Sequence, residues 1–236
     1  MKELFFESID STNTYLKNHY EELDDRCFVR ADLQTQGKGR NGRIWKSLKG
    51  ENLTFSMLIK NKELISNYSG LSVTSAYLIL KILEGYGLKD LSIKWPNDVY
   101  VKDKKICGIL LEAVSKEEIE CLIIGIGLNV NQTEFEGDYL IEPTSIAKEL
   151  ERKIDLSEIK NKIYDSLLND LNKDYYRQIK EYDYLKDKTA IAEINGESKS
   201  IRVIGIDEDY SMKIIADEKE TNILSGEISF HLERGK

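Results

Sequence analysis

The segment that most limits the possible folds is residues 34–45 (QTQGKGRNGRIW), which combine three glycines with a cluster of positive charge. Five cations and no acid lie between residues 34 and 49, although the chain carries a formal net charge of -8. Glycines allow main-chain N–H groups to approach a phosphate closely. The segment therefore predicts an anion-binding loop, and the alternative is a solvated surface loop without a ligand.

These glycines have the Gly-x-Gly-x-x-Gly spacing of the dinucleotide fingerprint, but their surroundings do not match it. The fingerprint requires a strand before the glycines and a helix that opens within them. Residues 26–33 resemble a strand, whereas residues 43–53 show no helical apolar stripe. The Gly-x4-Gly-Lys-Ser/Thr string of a P-loop is also absent from the sequence. We therefore expect a cationic loop between strands, suited to covering a nucleotide.

Length and composition limit the number of domains and the compartment. A chain of 236 residues can hold one substantial domain and one small domain. The N-terminal residues show no signal segment, and the longest apolar run, residues 121–130, has about half of the ~20 residues needed to cross a bilayer. We therefore expect a soluble, cytoplasmic protein.

The cysteine and histidine content argues against a metal site held by soft ligands. The three cysteines lack CxxC spacing, and the chain has only two histidines. We expect buried free thiols at Cys27, Cys107 and Cys121, since a free cysteine packs like a small hydrophobic residue. The acidic balance also argues against broad nucleic-acid binding, which requires a basic face.

Polar residues follow the first predicted strand, residues 4–9, at the start of a predicted helix. Ser11, Thr12 and Asn13 either cap that helix or line a pocket for a small molecule. Beyond the glycine loop, residues 52–59 alternate like a strand. A helix with apolar residues at helical spacing should follow over residues 71–86.

Two further strand regions carry candidate site residues. Strands at residues 91–95 and 99–101 flank a sharp corner, and Lys105 stands directly before a buried strand. This lysine is either a gatekeeper charge or a cation that meets a carboxylate or phosphate. Residues 121–130 predict another buried strand, and Asn129 near its end either contacts a nucleotide or forms a turn.

The last part of the chain changes from helical to strand-like patterns. A capping box at Asp155 and Glu158 predicts a long helix whose apolar face continues to Tyr182. From about residue 186, short alternating runs separated by turn sequences predict a small antiparallel barrel. Because five short strands bury little apolar surface alone, this unit should dock on the larger one, with the turn at residues 225–227 near the interface.

Five segments, DSTNTYLK, QTQGKGRNGRIW, KWPNDVYVKDKKICGILLE, GIGLNVN and GEISFHLE, occur in the order and spacing of biotin–protein ligases. From end to end the chain resembles the catalytic and C-terminal domains of that family. The resemblance implies an α+β fold in which residues 1–185 form a biotin- and ATP-binding mixed sheet with helices, like class II aminoacyl-tRNA synthetases. Residues 186–236 would form an SH3-like β-barrel. Because only ten residues precede the Ser-Thr-Asn triplet, we do not expect the DNA-binding winged helix of some relatives.

The resemblance also implies roles for single residues. The biotin-binding set comprises Ser11, Thr12, Asn13, Gln34, Lys38, Gly39, Arg40 and Lys105. The ATP- and adenylate-binding set comprises Gly37, Arg40, Arg43, Trp45 and Asn129. Arg40 and Lys105 are the implied catalytic residues, and no side chain is expected to bind a metal directly. Lys38 and His231 stand where arginine is common in the family, and Glu227 fits the family's Gly-Glu-Ile-Ser pattern.

The implied reaction has two halves and uses ATP with Mg2+. The biotin carboxylate attacks the α-phosphorus to give biotinyl-5'-AMP, and a lysine of a biotin carboxyl carrier protein domain then attacks the anhydride. Fixed cations can offset the repulsion between the two anions. Neutral donors and acceptors suit the uncharged ureido ring. Trp45 would either close a lid over the adenylate or anchor the loop.

Two other functions compete with this interpretation. A lipoate–protein ligase shares the acyl-adenylate chemistry, although the glycine loop and the KWPND segment favour biotin. A non-enzymatic nucleotide or RNA sensor would use the basic loop alone. Relatives pair through sheet edges, so the resemblance allows a homodimer, whereas DNA and membranes are not expected partners.

Overall fold

The computed structural model describes residues 2–194, 197–224 and 230–232, apart from the side chains of residues 193, 194 and 230–232. The strands described there are β1 (Glu3–Phe6), β2 (Phe28–Ala31), β3 (Leu53–Ile59), β4 (Leu91–Lys94), β5 (Asp98–Val101), β6 (Lys104–Ser115), β7 (Ile119–Leu128), β8 (Thr189–Ile194), β9 (Glu197–Ile206), β10 (Met212–Ala216), β11 (Lys219–Ile223) and β12 (Phe230–Leu232). The α-helices are α1 (Thr12–His19), α2 (Lys62–Ser66), α3 (Leu71–Tyr86), α4 (Ile146–Leu150), α5 (Leu156–Asp170) and α6 (Tyr176–Ile179).

Seven strands form one mixed sheet in the order β1-β2-β3-β7-β6-β5-β4. The β1–β2 pair is parallel and the other pairs are antiparallel. All seven residues of β3 are buried, as are the last eight of β7. Such continuous burial is expected for central strands covered on both faces.

Helices cover both faces of this sheet. Successive side chains of a strand point to opposite faces, so the neighbours Phe28 and Val29 pack against different helices. On one face Phe28 stacks on Tyr164 of α5, with 3.9 Å between the ring centroids. On the other face Val29 packs in a separate cluster with Leu16 of α1. α3 ends at Gly87, which has φ 101° and whose N–H donates to the Leu83 and Glu84 carbonyls.

The prediction of one long helix whose apolar face reaches Tyr182 is wrong, because the chain forms two separate helices there. α5 ends at Asp170, whose carboxylate pairs with Lys173 at 2.6 Å. The Asp174 carboxylate accepts a hydrogen bond from the Tyr176 N–H at 2.9 Å just before α6, whose N-cap is Tyr175. An aspartate whose side chain bonds the nearby backbone competes with continuation of the preceding helix.

The second sheet is antiparallel, with the order β11-β10-β9-β8-β12. It docks on the larger unit through Tyr210, whose carbonyl accepts the Trp95 indole N–H at 2.9 Å and whose hydroxyl donates to Asp174 at 2.9 Å. The α+β class, a mixed sheet with helices followed by a small β unit, is therefore confirmed. The expected interface turn at residues 225–227 lies outside the described residues, as do Glu227 and the side chain of His231.

The cysteine prediction is confirmed, since Cys27, Cys107 and Cys121 are buried free thiols. Burial raises the pKa of Cys121 to about 11. Within the described part of the chain no helix has the length and apolar character required to cross a bilayer.

Candidate active site

A cavity of about 240 Å³ lies where the glycine loop meets β6, β7 and the corner after β4. Its lining includes all but one of the residues that the sequence motifs single out. The predicted residues that line it are Ser11, Thr12, Asn13, Gln34, Lys38, Gly39, Arg40, Arg43, Trp45, Lys105 and Asn129. The exception is Gly37, a buried residue of the same loop, whose carbonyl accepts the Trp45 N–H at 2.9 Å.

The glycine loop is a small hydrogen-bonded hairpin rather than an irregular loop. Lys38 and Ile44 form an antiparallel bridge, and the Gly39 N–H donates to the Arg43 carbonyl at 2.8 Å. A 3-10 turn, Arg40–Gly42, forms the tip. The Arg40 guanidinium donates to the Asn97 side-chain oxygen at 3.1 Å, which ties the tip to the corner between β4 and β5.

The Trp45 indole packs against the backbone of the central strands. A Cβ on Gly127 of β7 would lie 2.7 Å from Trp45 Nε1 and closer still to the ring, so only glycine allows this approach. A Cβ on Gly108 of β6 would lie 3.1 Å from the same ring. The packing fits the anchoring interpretation of Trp45, which forms a wall of the cavity.

Lys105 projects toward the cavity rather than acting as a gatekeeper at the strand end. Its Nζ lies 2.7 Å from Asp98 Oδ1 and 5.7 Å from the centre of the Trp45 ring. The side chain is 27% exposed and that of Asp98 is 17% exposed, so the pair is partly screened from water. Lysine and aspartate thereby form a partly buried ion pair beside the glycine loop.

Positive charge dominates the cavity. One carboxylate, Asp98, faces six cations among the lining residues: Lys38, Arg40, Arg43, Lys46, Lys94 and Lys105. Burial lowers the pKa of Arg40, Asp98 partly restores it and Arg43 lowers it further. Burial is also the main reason that the pKa of Lys94 is lowered. Removing a cation from water costs free energy, and a bound anion offsets that cost. These partly desolvated cations therefore form a preorganised site for anions.

The opposite end of the cavity is neutral and polar. Ser11 caps α1 by accepting a hydrogen bond from the Thr14 N–H at 3.4 Å. The Thr12 N–H donates to Gln34 Oε1 at 2.8 Å, and the Thr12 hydroxyl lies 3.0 Å from the same oxygen. Ser11, Thr12 and Asn13 are each at most 3% exposed and also line the cavity. Ser11 therefore caps the helix, and at the same time all three residues line the pocket, so the two interpretations are compatible.

Asn129 presents an unpaired oxygen at the cavity. Its Nδ2 donates to the Thr144 carbonyl at 2.9 Å, which fixes the amide. Its Oδ1 is buried and has no hydrogen-bond partner within the described residues. A buried acceptor without a partner costs free energy unless a ligand or water supplies a donor. The geometry thus favours a ligand contact for Asn129.

Sequence reasoning missed four residues that shape this site: Lys94, Asp98, Ser56 and Glu112. Lys94 and Asp98 lie at the ends of the strands that flank the corner, where the sequence motif indicated only a turn. Ser56 stands out in the sequence as a polar residue within an otherwise largely apolar strand, and that signal would have found it. Across the described residues no group of three or more metal-binding side chains occurs.

Comparisons with known proteins agree with this geometry. The profile of the biotin/lipoate A/B protein ligase family matches residues 5–129. The chain is 37% identical over 123 residues to the bifunctional ligase/repressor BirA of Escherichia coli, and 35% identical over 133 residues to that of Salmonella typhimurium. These matches cover 52% and 56% of this chain, but only 38% and 42% of the relatives, so the chain matches about two fifths of their length.

A solved structure extends the similarity to nearly the whole chain. The biotin protein ligase from Aquifex aeolicus in complex with biotin and ATP superposes with a TM-score of 0.83 at 28% identity. The match covers 98% of this chain and 99% of that one. On the family profile, which spans more than half of the sequence, the chain belongs to the biotin/lipoate A/B protein ligase family.

Proposed function

We propose that the chain is an ATP-dependent biotin–protein ligase, which forms biotinyl-5'-AMP and transfers biotin to a lysine of a biotin carboxyl carrier protein domain. The observation that carries the proposal is the division of one cavity into two ends. A neutral polar wall from Ser11 to Asn13 faces a cluster of cations around Lys105. The similarity to a protein solved with biotin and ATP supports the same pair of substrates.

In the first half-reaction a biotin carboxylate oxygen attacks the α-phosphorus of ATP, and pyrophosphate leaves. Both reactants are anions, so their approach is opposed by repulsion. Lys105 and Arg40 carry the positive charge that offsets it, assisted by Arg43 and Lys94. Because Arg40 and Lys94 are desolvated, their charges act more strongly on a bound anion than they would in water.

The site is suited to ATP that arrives with Mg2+ on its phosphates. The cavity offers one carboxylate, and Asp98 is already paired with Lys105. Magnesium in nucleotide sites is commonly held by substrate phosphates and water with few protein ligands. Asn129 Oδ1 supplies a neutral acceptor for the nucleotide or for a water bound to it.

In the second half-reaction the neutral amine of the acceptor lysine attacks the acyl carbon of the anhydride. The amide bond forms, AMP leaves and the amine loses a proton. The adenylate hydrolyses readily, so the hairpin must exclude water until the acceptor arrives. Arg40 serves this closure through its contact with Asn97. The enzyme acts in the cytoplasm, where it works alone or as a homodimer, and it requires neither DNA nor a membrane.

The neutral wall favours biotin over lipoate. The dithiolane ring of lipoate has no N–H donor, and it would leave the buried oxygens of Thr12 and Asn13 without ligand partners. Sites built to hydrogen-bond a substrate reject analogues that lack the matching group.

Isotope exchange from pyrophosphate into ATP tests the proposal directly. We expect exchange with biotin and exchange at least about 100-fold slower with lipoate at equal concentration. Transfer of labelled biotin to a carrier domain, with a carrier lacking its acceptor lysine as control, tests the second half. Exchange with lipoate but not biotin would replace the proposal by a lipoate ligase. Absence of exchange with both acids, together with salt-dependent RNA binding, would point to the sensor.

A further inference from the structure

Two residues outside the cavity lining, Ser56 and Glu112, hydrogen-bond to Asn13 of the neutral wall. Asn13 Nδ2 donates to Glu112 Oε2 at 2.7 Å, and Asn13 Oδ1 accepts from Ser56 Oγ at 2.5 Å. Ser56 is fully buried on β3, and Glu112 is half-buried on β6. The Asn13 amide is thus fastened at both ends by strands of the central sheet.

The charge of Glu112 decides which way the Asn13 amide faces. An ionised carboxylate has only acceptors, so the NH2 group of Asn13 must face it. The amide oxygen then points to Ser56 and to the backbone at Gly125, a lining residue where a Cβ would overlap Asn13 Oδ1. Without the carboxylate, an amide could adopt either orientation.

Counting the hydroxyl protons shows which atoms donate in the neighbouring hydrogen bonds of the neutral wall. The oxygens Gln34 Oε1, Thr12 Oγ1, Ser56 Oγ and Asn13 Oδ1 form a chain of contacts at 3.0, 2.6 and 2.5 Å. Two hydroxyl protons serve three contacts, and Gln34 Oε1 already accepts the Thr12 N–H. Ser56 donates its proton to Asn13 Oδ1, so it has none left for Thr12, and the Thr12 hydroxyl donates to either Gln34 Oε1 or Ser56 Oγ.

This arrangement leaves acceptors at the cavity. The Thr12 hydroxyl donates its proton to Gln34 or Ser56 in either case, so Thr12 Oγ1 meets a ligand as an acceptor, as does Asn13 Oδ1. The Ser11 hydroxyl, which accepts from the Thr14 N–H, keeps its own proton for a ligand carbonyl. Two acceptors and one donor complement a cyclic urea, which has two N–H groups and one C=O group.

We infer that Glu112 and Ser56 are positioning residues that hold the Asn13 oxygen toward the cavity and thereby select a ring with N–H donors. The inference rests on the proposed function, because it explains how that site distinguishes biotin from acids without such donors. Neither residue is among those that line the cavity: Glu112 acts through Asn13, and Ser56 acts through Asn13 and Thr12.

The test compares Glu112→Gln with the parent enzyme in the pyrophosphate exchange assay. The variant should raise the KM for biotin about tenfold, the order expected for one hydrogen bond to a charged group. The KM for ATP and kcat should change less than about twofold, because the cationic end is untouched. The preference for biotin over an N-methylated biotin, which lacks one donor, should also fall. A purely structural role would not change this preference.

Two further variants make the result decisive. Glu120→Gln makes the same exchange at an exposed position on β7 and should match the parent. Ser56→Ala removes the donor to Asn13 from the opposite side and should reproduce the rise in biotin KM, even if Glu112→Gln does not fold. The inference is overturned if a folded variant at either position keeps the parental biotin KM, or if KM for ATP rises equally. A parent enzyme without biotin-dependent exchange would instead refute the proposed function itself.

Discussion

Two adjacent lysines illustrate how a single strand position determines chemistry. Successive residues of β6 face opposite ways, so Lys104 and Lys105 cannot share an environment. Lys104 pairs on the surface with the exposed Glu142 at 2.9 Å. Lys105 pairs with Asp98 at the cavity. Lys104 therefore serves as a matched control for a substitution of Lys105.

Replacing Lys105 with Met should reduce the rate of biotin-dependent pyrophosphate exchange about 100- to 1,000-fold, the loss typical of one electrostatic catalytic group. The same change at Lys104 should leave the rate within about twofold, because an exposed ion pair contributes little. Steady-state exchange at saturating biotin and ATP measures both variants. Equal losses in the two variants would show that position along β6 does not matter.

At this scale the sequence motifs were informative wherever glycine, proline or a local charge reversal marked the site. Arg40, Lys105 and Asn129, which the motifs singled out, all line one cavity. The motifs could not identify Glu112, because its role depends on a contact with Asn13, a residue 99 positions earlier in the chain. Lys94 was missed for a related reason: its burial depends on how the corner folds against the rest of the sheet.

The glycine hairpin lines one side of the cavity. Its two arms are paired through Lys38 and Ile44, and its tip is held to the neighbouring corner by the Arg40–Asn97 contact. Hairpins with few long-range anchors open locally at a low free-energy cost. Opening of this element should control both substrate entry and loss of the adenylate.

Substitution Arg40→Gly should therefore leave adenylate formation partly intact and speed the escape of biotinyl-5'-AMP. The change removes the tip contact and one cation but leaves the neutral wall in place. Free adenylate in a filtrate, measured without an acceptor protein, should exceed the parental amount. Lys49→Gly, at an exposed cation beyond the hairpin, is the control. Equal release by Arg40→Gly and the parent would refute the closing role of this element.

Elements with strong periodicity were predicted well, and one boundary was not. The spacing of α3 and the burial of β3 and β7 follow from apolar patterns. The helix expected to reach Tyr182 ends at Asp170, and the Asp174 carboxylate bonds the N–H of Tyr176, where the next helix begins. The same aspartate accepts a hydrogen bond from Tyr210, which lies in the turn between β9 and β10 of the second sheet. A tertiary contact across 36 residues is not visible in local periodicity.

For the molecule as a whole, Asp183 joins the two sheets. Its backbone bridges to Ile93 of β4, and its carboxylate accepts hydrogen bonds from the Leu185 N–H at 2.9 Å and the Ile206 N–H at 3.1 Å. Burial raises the pKa of this carboxyl above its ordinary 3.8, although the backbone donors oppose the shift. Such a group couples the stability of the molecule to pH.

A raised pKa in the folded state means that the folded state holds the proton more tightly than the unfolded state. The contribution of Asp183 to stability is then fully present below about pH 3.8 and is lost as pH rises through the folded pKa. Urea unfolding of the parent and Asp183→Asn should show a difference in free energy, parent minus variant, that shrinks from pH 4 toward pH 7. The exposed Asp165→Asn serves as control. A difference that grows with pH would contradict the shift.

The central claim is that one cavity brings the biotin carboxylate and the α-phosphate together between fixed cations. A crystal structure of the parent enzyme with biotin and a non-hydrolysable ATP analogue tests it most directly. We predict both anionic groups within about 4 Å of Lys105 Nζ or the Arg40 guanidinium, the range of a direct ion pair, and the ureido ring against Asn13. Either ligand bound outside this cavity, or anionic groups remote from both cations, would contradict the account.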